Sequence, residues 1–196
     1  MRQKTIRALL ITLLLAAPAL AQEMPHWEVF GGYSIRRSDM KEYLRSTAIL
    51  YTTRNRYSNP AGWEASVTEN VNRWFGGTLD ISGHYRSPLI VNAPNRQQAH
   101  SILYGPRFAL RTGSTFLPFA HVLLGAIHAD VRVTPVGPHL SGNAFAAAIG
   151  GGVDMKLGRK IAVRVVQGDY FRTNVLGTTR PRGFRVSAGV VYRSSK

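Results

Sequence analysis

Residues 148–166 read AIGGGVDMKLGRKIAVRVV and alternate between apolar side chains and small or charged ones. Asp154, Lys156 and Arg164 fall at alternating positions on the two sides of Gly158–Arg159, where the pattern is interrupted. Because successive side chains of a β-strand point to opposite faces, this pattern predicts two strands joined by a tight turn. Each strand then has one apolar face and one face of polar or small residues.

The same period of two runs through the rest of the chain, and helical periodicity is nearly absent. The gaps between the predicted strands alternate between long, as in 37–60 and 86–99, and short. This is the order of an up-and-down meander, with long loops at one rim and tight turns at the other, where both termini also lie. The eight predicted strands lie near residues 26–36, 61–69, 73–85, 100–112, 116–131, 143–157, 160–173 and 182–193.

Aromatic residues decide which face of the strands is inside. A soluble lipocalin-like barrel turns its apolar face inward, whereas a membrane barrel turns it towards lipid. Here the aromatic residues of the apolar faces fall near the two rims, as in proteins whose rings lie at the two membrane interfaces. We therefore predict an all-β fold, an eight-stranded antiparallel up-and-down transmembrane β-barrel. The long-loop belt is Trp63, Tyr85, Tyr104, Phe145, Phe171 and Phe184, and the turn belt is Trp27, Phe75, Phe119 and Tyr192.

The polar faces carry charged residues into the lumen. Eight strands enclose a space that side chains can fill, so a plugged lumen is expected. We predict that these residues form buried ion pairs and hydrogen bonds, and a narrow ion or small-solute channel is the alternative. The predicted network consists of Glu28, Glu64, Asp80, Arg107, Arg111, Asp154, Lys156, Arg164 and Arg185.

Three polar residues do not fit the face assignment. Strict alternation puts Gln167 and Asp169 on the lipid face of the seventh strand, and it puts His121 on the lipid face near the turn belt. A carboxylate facing lipid is costly away from the rim. A bulge at Gly168 is the alternative, and it would turn Asp169 inward towards Arg172 or Arg185.

The N-terminus carries an export signal. Arg2, Lys4 and Arg7 precede an apolar run over residues 8–17 and an Ala19-x-Ala21 motif. These features predict a signal peptide over 1–21, and its apolar run is too short to span a bilayer as a helix. The barrel domain then occupies 22–196, and with no cysteine in the chain it folds without disulfides.

The net charge of +15 falls to about +12 without the three basic residues of the signal. Such a charge predicts contact with anions, either nucleic acid or the phosphates of a membrane surface. Export disfavours nucleic acid, and we expect no nucleic-acid partner. The phosphates of membrane lipid are therefore the predicted contact.

The chain resembles the small eight-stranded outer-membrane β-barrel family, the outer membrane protein beta-barrel domain group related to the OmpA-type transmembrane domain. The resemblance covers 26–193 and is closest in YGPRFALR (104–111), PFAHVLLGAIHA (118–129), 148–173 and GFRVSAGVVYR (183–193). It implies a monomeric barrel in a Gram-negative outer membrane, inserted by the assembly machinery. Family barrels commonly end in an aromatic residue, and here Tyr192 holds the penultimate aromatic position of that pattern whereas Ser194 stands where Phe is usual.

The stretch DISGH places Asp80, Ser82 and His84 on one face of the third strand. Some barrels of this size modify lipid A, so a lipid A-modifying enzyme is an alternative function. Asp80 and His84 would lie about 13 Å apart, however, which favours a structural hydrogen-bond network over catalysis. We therefore expect no enzyme activity and no cofactor. We also expect no metal, because the other histidines lack the spacing of metal ligands.

Basic residues crowd the first long loop and the last one. Such a rim could bind lipopolysaccharide phosphates or acidic polysaccharide, and a loop that is merely solvated remains an equal alternative. The function hypothesis is a non-enzymatic protein with a structural role and an anion-contacting extracellular rim. The predicted rim consists of Arg36, Arg37, Lys41, Arg45, Arg54, Arg56, Arg180 and Arg182.

Overall fold

The computed structural model describes residues 25–39, 57–58, 60–86, 89–90, 93–133, 139–174 and 182–194. The predicted signal peptide over 1–21 lies outside the described residues. No helix among those ranges is both long and apolar enough to cross a bilayer.

Eight long strands build the wall of the fold, and two strands of two residues each add to its long-loop edge. The short strands β2 and β5 pair with β1 and β6, respectively. The elements are β1 (Trp27–Asp39), β2 (Tyr57–Ser58), β3 (Ala61–Asn70), β4 (Phe75–Arg86), β5 (Leu89–Ile90), β6 (Ala93–Ala109), β7 (Phe116–Val133), β8 (His139–Lys156), β9 (Ile161–Asn174) and β10 (Arg182–Arg193).

Each long strand pairs antiparallel with its neighbours in chain order, and β10 pairs with β1 to close the sheet. The closing ladder runs from Glu28 opposite Arg193 to Ser38 opposite Gly183. Ser194 continues it, because its backbone N–H donates to Trp27 O and its hydroxyl accepts from Trp27 N. The predicted eight-stranded up-and-down barrel is confirmed. Closure pairs the backbone groups that an open sheet would leave exposed to lipid.

The barrel turns apolar side chains outward and charged ones inward. Ile102 and Val186 are 52% and 53% exposed, whereas Asp80 and Arg185 are 1% and 0% exposed. A soluble fold would show the reverse, so this burial pattern is that of a membrane barrel. The predicted faces of the first, third, fourth, sixth and eighth long strands are confirmed by the observed burial.

The face assigned to β7 was wrong. Phe119 and His121 point inward and are 6% and 4% exposed, so they are not on the lipid face, and Phe119 does not belong to the turn belt. Both faces of this strand are apolar, with Leu123 inside and Leu124 outside. Alternation could therefore not orient the strand from the sequence.

A bulge reorients the second half of β9. Val165 and Val166 both face outward, and the register against β8 and β10 shifts at this point. Gln167, Asp169 and Phe171 are consequently buried in the lumen. The lipid-facing positions that strict alternation gives Gln167 and Asp169 were wrong, whereas the alternative in which a bulge turns Asp169 inward towards Arg185 is confirmed. Phe171 does not belong to the long-loop belt. The bulge lies just before the Gly168 position that the sequence suggested.

Several strands extend beyond the predicted ends. The segment 86–99 was predicted as a long loop, but β6 begins at Ala93 and β7 continues to Val133. A transmembrane strand needs only about 9–11 residues to cross the hydrocarbon. The polar outer ends of β6, β7 and β8 therefore project past the membrane, where alternation of hydrophobicity no longer marks a strand.

We predict that deletion of Val165 preserves the fold. The deletion leaves one residue, Val166, between Arg164 and Gln167, so regular alternation then places the side chains of Arg164 and Gln167 inside the barrel. Deletion of Val163 is the matched control, and it forces Arg164 out of phase with Asp154. We expect the control to lose about 3 kcal/mol of unfolding free energy. Urea unfolding in lipid vesicles measures both, and equal losses would contradict the bulge assignment.

A close approach of β6 and β7 generates a second prediction. A Cβ atom added to Gly105 would clash with Val122 O, whereas one added to Gly31 meets nothing within 4 Å. We expect Gly105→Ala to lower the free energy of unfolding by about 1–3 kcal/mol, since the backbone must shift. Gly31→Ala is the control with no such clash. A similar urea midpoint for both variants would show that the strands adapt freely.

Candidate functional site

The lumen contains two clusters of charged residues, and the lower one lies towards the tight turns. Glu28 accepts hydrogen bonds from Arg107 Nη1 at 2.9 Å and from Arg111 Nη2 at 3.0 Å. Asp154 accepts from Arg107 Nη2 at 3.0 Å and from Arg164 Nε at 2.8 Å. Arg107 therefore bridges two carboxylates that come from β1 and β8. All five side chains are buried.

Two inward-facing rings complete the lower cluster. The guanidinium carbon of Arg164 lies 4.1 Å from the centroid of Phe30 and 4.5 Å from that of Phe119. Arg107 lies 4.1 Å from the same Phe119 ring. Guanidinium groups stack favourably on aromatic faces, which explains why Phe119 is inside the barrel.

The upper cluster surrounds Arg185 with three carboxylates. Its guanidinium binds both oxygens of Asp80, at 2.8 and 3.0 Å. Asp169 accepts from Nε and Nη2 at 2.9 and 2.6 Å, and Glu64 lies 3.2 Å from Nε. Asp169 also contacts His121 Nε2 at 2.7 Å. The inward position of His121 is thus explained by a partner that only the β9 bulge makes available.

Gln167 connects the two clusters. Its Oε1 accepts from Arg164 Nη1 at 2.7 Å, and its Nε2 donates to Glu64 at 2.7 Å and to Asp169 at 2.8 Å. One hydrogen-bonded network therefore runs along the lumen and includes residues of all eight long strands. Gln167 and Asp169 are absent from the predicted network. The high cost of exposing a carboxylate and an amide to lipid was the signal that could have placed them inside the barrel.

Lys156 is separate from the network. It is half-buried at the end of β8 and forms no ion pair among the described residues. Lys156 is repelled by the positive charges of Arg73, Arg111 and Arg193. Of the predicted network residues, Lys156 is the one that the structure does not bring to a carboxylate.

The residues of DISGH have three different sets of partners. Asp80 binds Arg185, Ser82 bonds to Ser101 at 2.8 Å, and His84 bonds to Ser34 at 3.0 Å. Ser82 and His84 thus do not form a nucleophile–base pair. In the described part of the chain no group of three or more His, Cys, Asp or Glu side chains is arranged so that it could hold a metal ion.

The predicted rim is only partly described. Arg36 faces inward and is 8% exposed, with its guanidinium 4.9 Å from the Phe171 ring, so it belongs to the lumen mouth instead of the outer rim. Arg37 and Arg182 are exposed and face outward. The other predicted rim residues lie outside the described residues, namely Lys41, Arg45, Arg54, Arg56 and Arg180.

Three outward arginines on neighbouring strands form what we call the arginine patch, which consists of Arg37, Arg172 and Arg182. Arg182 is opposite Arg172, and Arg37 is opposite Phe184. The Phe184 ring contacts Tyr170 with centroids 5.3 Å apart. The patch therefore lies at the outer interface of the barrel, beside a pair of belt rings. Sequence analysis did not include Arg172 in the rim, because strict alternation through the bulge assigned it to the lumen.

Removing the cation of the upper cluster should strongly destabilise the barrel. We expect Arg185→Met to lower the free energy of unfolding by about 3–5 kcal/mol, because Glu64, Asp80 and Asp169 lose their shared counter-ion. Arg132→Met, at an exposed position of β7, is the control and should change it by less than about 0.5 kcal/mol. Unboiled gel mobility and urea midpoints measure the effect, and a small loss for Arg185→Met would show that the cluster contributes little.

Three similar solved structures are outer-membrane barrels. Ail, the attachment invasion locus protein of Yersinia pestis, has a TM-score of 0.61 and 17% identity over 87% of this chain and 99% of that chain. A second Ail structure, in complex with the heparin analogue sucrose octasulfate, has a TM-score of 0.58 and 18% identity over 87% of this chain and 99% of that chain. Neisserial surface protein A has a TM-score of 0.60 and 12% identity over 86% of this chain and 97% of that chain.

These TM-scores establish a shared fold. No curated protein sequence matches the chain. The family model described as the outer membrane protein beta-barrel domain matches residues 8–193. The chain therefore belongs to that family, and membership implies a location in the bacterial outer membrane.

Proposed function

We propose that this protein is a non-enzymatic structural barrel of the outer membrane whose basic outer rim binds the phosphate groups of lipopolysaccharide. The observation that carries the proposal is the arginine patch of Arg37, Arg172 and Arg182. The three side chains face outward on the adjacent strands β9, β10 and β1. They lie at the end of the barrel that carries the long connections.

The position of the patch favours a membrane-bound anion. The Phe184 ring belongs to the long-loop belt and packs against Tyr170, and belt rings lie at the level of the lipid headgroups. Arginines beside them are then at the height of the lipid A phosphates. A guanidinium presents a planar fork of donors that matches phosphate oxygens and remains charged at any physiological pH.

The predicted loop residues would extend this surface. The predicted long loops would add five positive charges at the same end of the barrel, namely Lys41, Arg45, Arg54 and Arg56 in the first loop and Arg180 in the last. We propose that they form an outer layer that contacts the phosphorylated sugars above the patch. The barrel is proposed to act as a monomer that the assembly machinery inserts.

The comparison with Ail supports anion binding as a use of this fold. The Ail structure in question contains a heparin analogue, which is a polysulfated sugar. Sulfate and phosphate offer similar oxygen acceptors to arginine. The likeness does not identify a ligand here, and the chemistry of this chain's own arginines is what favours phosphate.

The lumen supports the structural part of the proposal. The continuous network from Glu28 to Arg185 runs along the barrel interior, and no described side chain favours a conducting path over it. The lipid A-modifying alternative has no supporting observation among the described residues either, since Ser82 bonds to Ser101 and both are buried in the lumen. A structural protein with a binding rim remains the better-supported function.

The triple variant Arg37→Ser, Arg172→Ser, Arg182→Ser tests the rim. We expect its affinity for lipopolysaccharide in detergent to fall roughly tenfold, because three charge-assisted contacts together contribute at least about 1.4 kcal/mol. Titration with fluorescent lipopolysaccharide gives the dissociation constant, and unboiled gel mobility verifies folding.

The matched control removes three charges from the opposite end, as Lys156→Ser, Arg159→Ser, Lys160→Ser. Its affinity for lipopolysaccharide should remain within about twofold of the wild type. Equal losses in the two variants would attribute binding to net charge alone. Unchanged binding in both would refute the arginine patch as the site.

A further inference from the structure

The opposite end of the barrel has a second basic surface, which we call the turn-side rim. Its residues lie in or beside the first and third tight turns, and none of them is part of the proposed lipopolysaccharide site. Glu69 is the exposed carboxylate among the residues that the structure describes at this end. The turn-side rim consists of Arg73, Lys156, Arg159 and Lys160.

The two carboxylates inside this end, Glu28 and Asp154, are shared by four buried arginines and do not neutralise the rim. Glu28 contacts Arg107 and Arg111, and its Oε1 lies 3.5 Å from Arg193 Nε. The Nε atoms of Arg111 and Arg193 are buried without a hydrogen-bond acceptor among the described residues, and Lys156 lies among like charges. An anion from outside the chain would complete the electrostatic balance of this end.

Apolar side chains in the same turns fix the height of the rim. Val71 and Trp74 are 69% and 56% exposed in the first turn, and Leu157 is 62% exposed in the third. The Trp74 ring stacks on Phe108 with an interplanar angle of 15° and centroids 6.1 Å apart. Exposed rings and aliphatic groups of this kind lie at the membrane interface, so the neighbouring cations lie at the level of the phospholipid headgroups.

Hydrogen bonds fix the geometry of the first turn. Arg73 donates Nε and Nη2 to Arg111 O at 3.1 and 2.8 Å, and Arg111 Nη1 donates back to Arg73 O at 2.8 Å. Asn72 Oδ1 accepts from the backbone N–H groups of Trp74 and Phe75. A site built on such a turn binds with little further ordering of its backbone.

The third turn is tied to its neighbours in the same way. The backbone N–H groups of Leu157 and Gly158 both donate to Ile161 O, at 3.1 Å each, and Lys160 O accepts from Arg193 N at 2.7 Å. Arg159 and Lys160 are exposed at the tip of this turn. Their charges are therefore presented on a fixed backbone and remain accessible from outside the barrel.

We propose that the turn-side rim binds the phosphates of anionic phospholipids in the periplasmic leaflet of the outer membrane. Short turns of outer-membrane barrels face the periplasm, where that leaflet supplies headgroups. The strand order puts the turn of Arg73 across the barrel from the turn of Arg159 and Lys160, which fits several headgroups around a perimeter better than one ion in a pocket. The rim is separate from the lipopolysaccharide site, so the barrel would contact a different anion in each leaflet.

The test compares lipids that differ only in headgroup charge. The full-length barrel is released from nanodiscs that contain equal amounts of phosphatidylglycerol and phosphatidylethanolamine with the same acyl chains. Native mass spectrometry then counts the retained lipids. We expect the wild type to retain phosphatidylglycerol roughly tenfold more often, since each interfacial cation attracts an anionic headgroup.

The variant Lys156→Ser, Arg159→Ser, Lys160→Ser should lose most of this preference, and Arg37→Ser, Arg172→Ser, Arg182→Ser should retain it. Binding of lipopolysaccharide by both variants, measured in parallel, separates a failure of this inference from a failure of the proposed function. The smaller variant Arg159→Ser, Lys160→Ser changes exposed turn positions alone, and it should lose part of the preference even if the larger one folds poorly.

Four results would overturn the inference. Equal retention of the two lipids by the wild type excludes a headgroup site, and an unchanged preference in the turn-side variants excludes these residues. Loss of the preference on addition of inorganic phosphate at constant ionic strength assigns the rim to free phosphate. The fourth result is binding to purified cell-wall sacculi by the wild type but not by the turn-side variant, with no preference between the two lipids. That result would assign the turn-side rim to peptidoglycan.

Discussion

Charge compensation inside a narrow lumen is the constraint on which the other features of this barrel depend. Closure in lipid forces the apolar faces outward, so every polar group must find its partners in the interior. Arg185 is fully buried against three carboxylates, and Arg107 joins two more. Such a network is stabilising only when each member is paired, which requires the strands to hold one register. The register of the sheet and the charges of the lumen therefore specify each other.

The lumen also contains an apolar cluster that borders the charged network. One sector of the lumen, contributed by β6 to β9, packs an apolar cluster that includes Leu103, Leu123, Ile127 and Phe171. The polar residues of β1, β3, β4 and β10 occupy the opposite sector. Phe171 lies at the boundary, with Arg36 and Arg185 over its ring at 4.9 and 4.8 Å. Aromatic faces thus let the guanidinium groups border an apolar wall without losing a favourable contact.

Sequence alternation predicted the strands whose two faces differ in polarity and failed where they do not. The strands around Asp154 and Arg185 were assigned correctly, because a charge on one face and aliphatic residues on the other leave one solution. On β7 both faces are apolar, so the inward positions of Phe119 and His121 could be predicted only from their contacts with other strands. The β9 bulge could not be located either, because two consecutive valines are compatible with either face. The contacts of Asp169 depend on that bulge and could not be predicted in detail.

The two proposed binding surfaces are separated from the stabilising network by position along the barrel axis. The ion pairs of the network are formed among its own members, between the two ends of the barrel. The arginine patch and the outermost cations of the turn-side rim are exposed and can change without leaving a buried charge unpaired. Selection on binding can therefore act on the rims while the lumen remains constant. The two proposed phosphate contacts would also hold the barrel at a defined height, because moving it along the membrane normal would carry cations of one rim away from phosphate and into hydrocarbon.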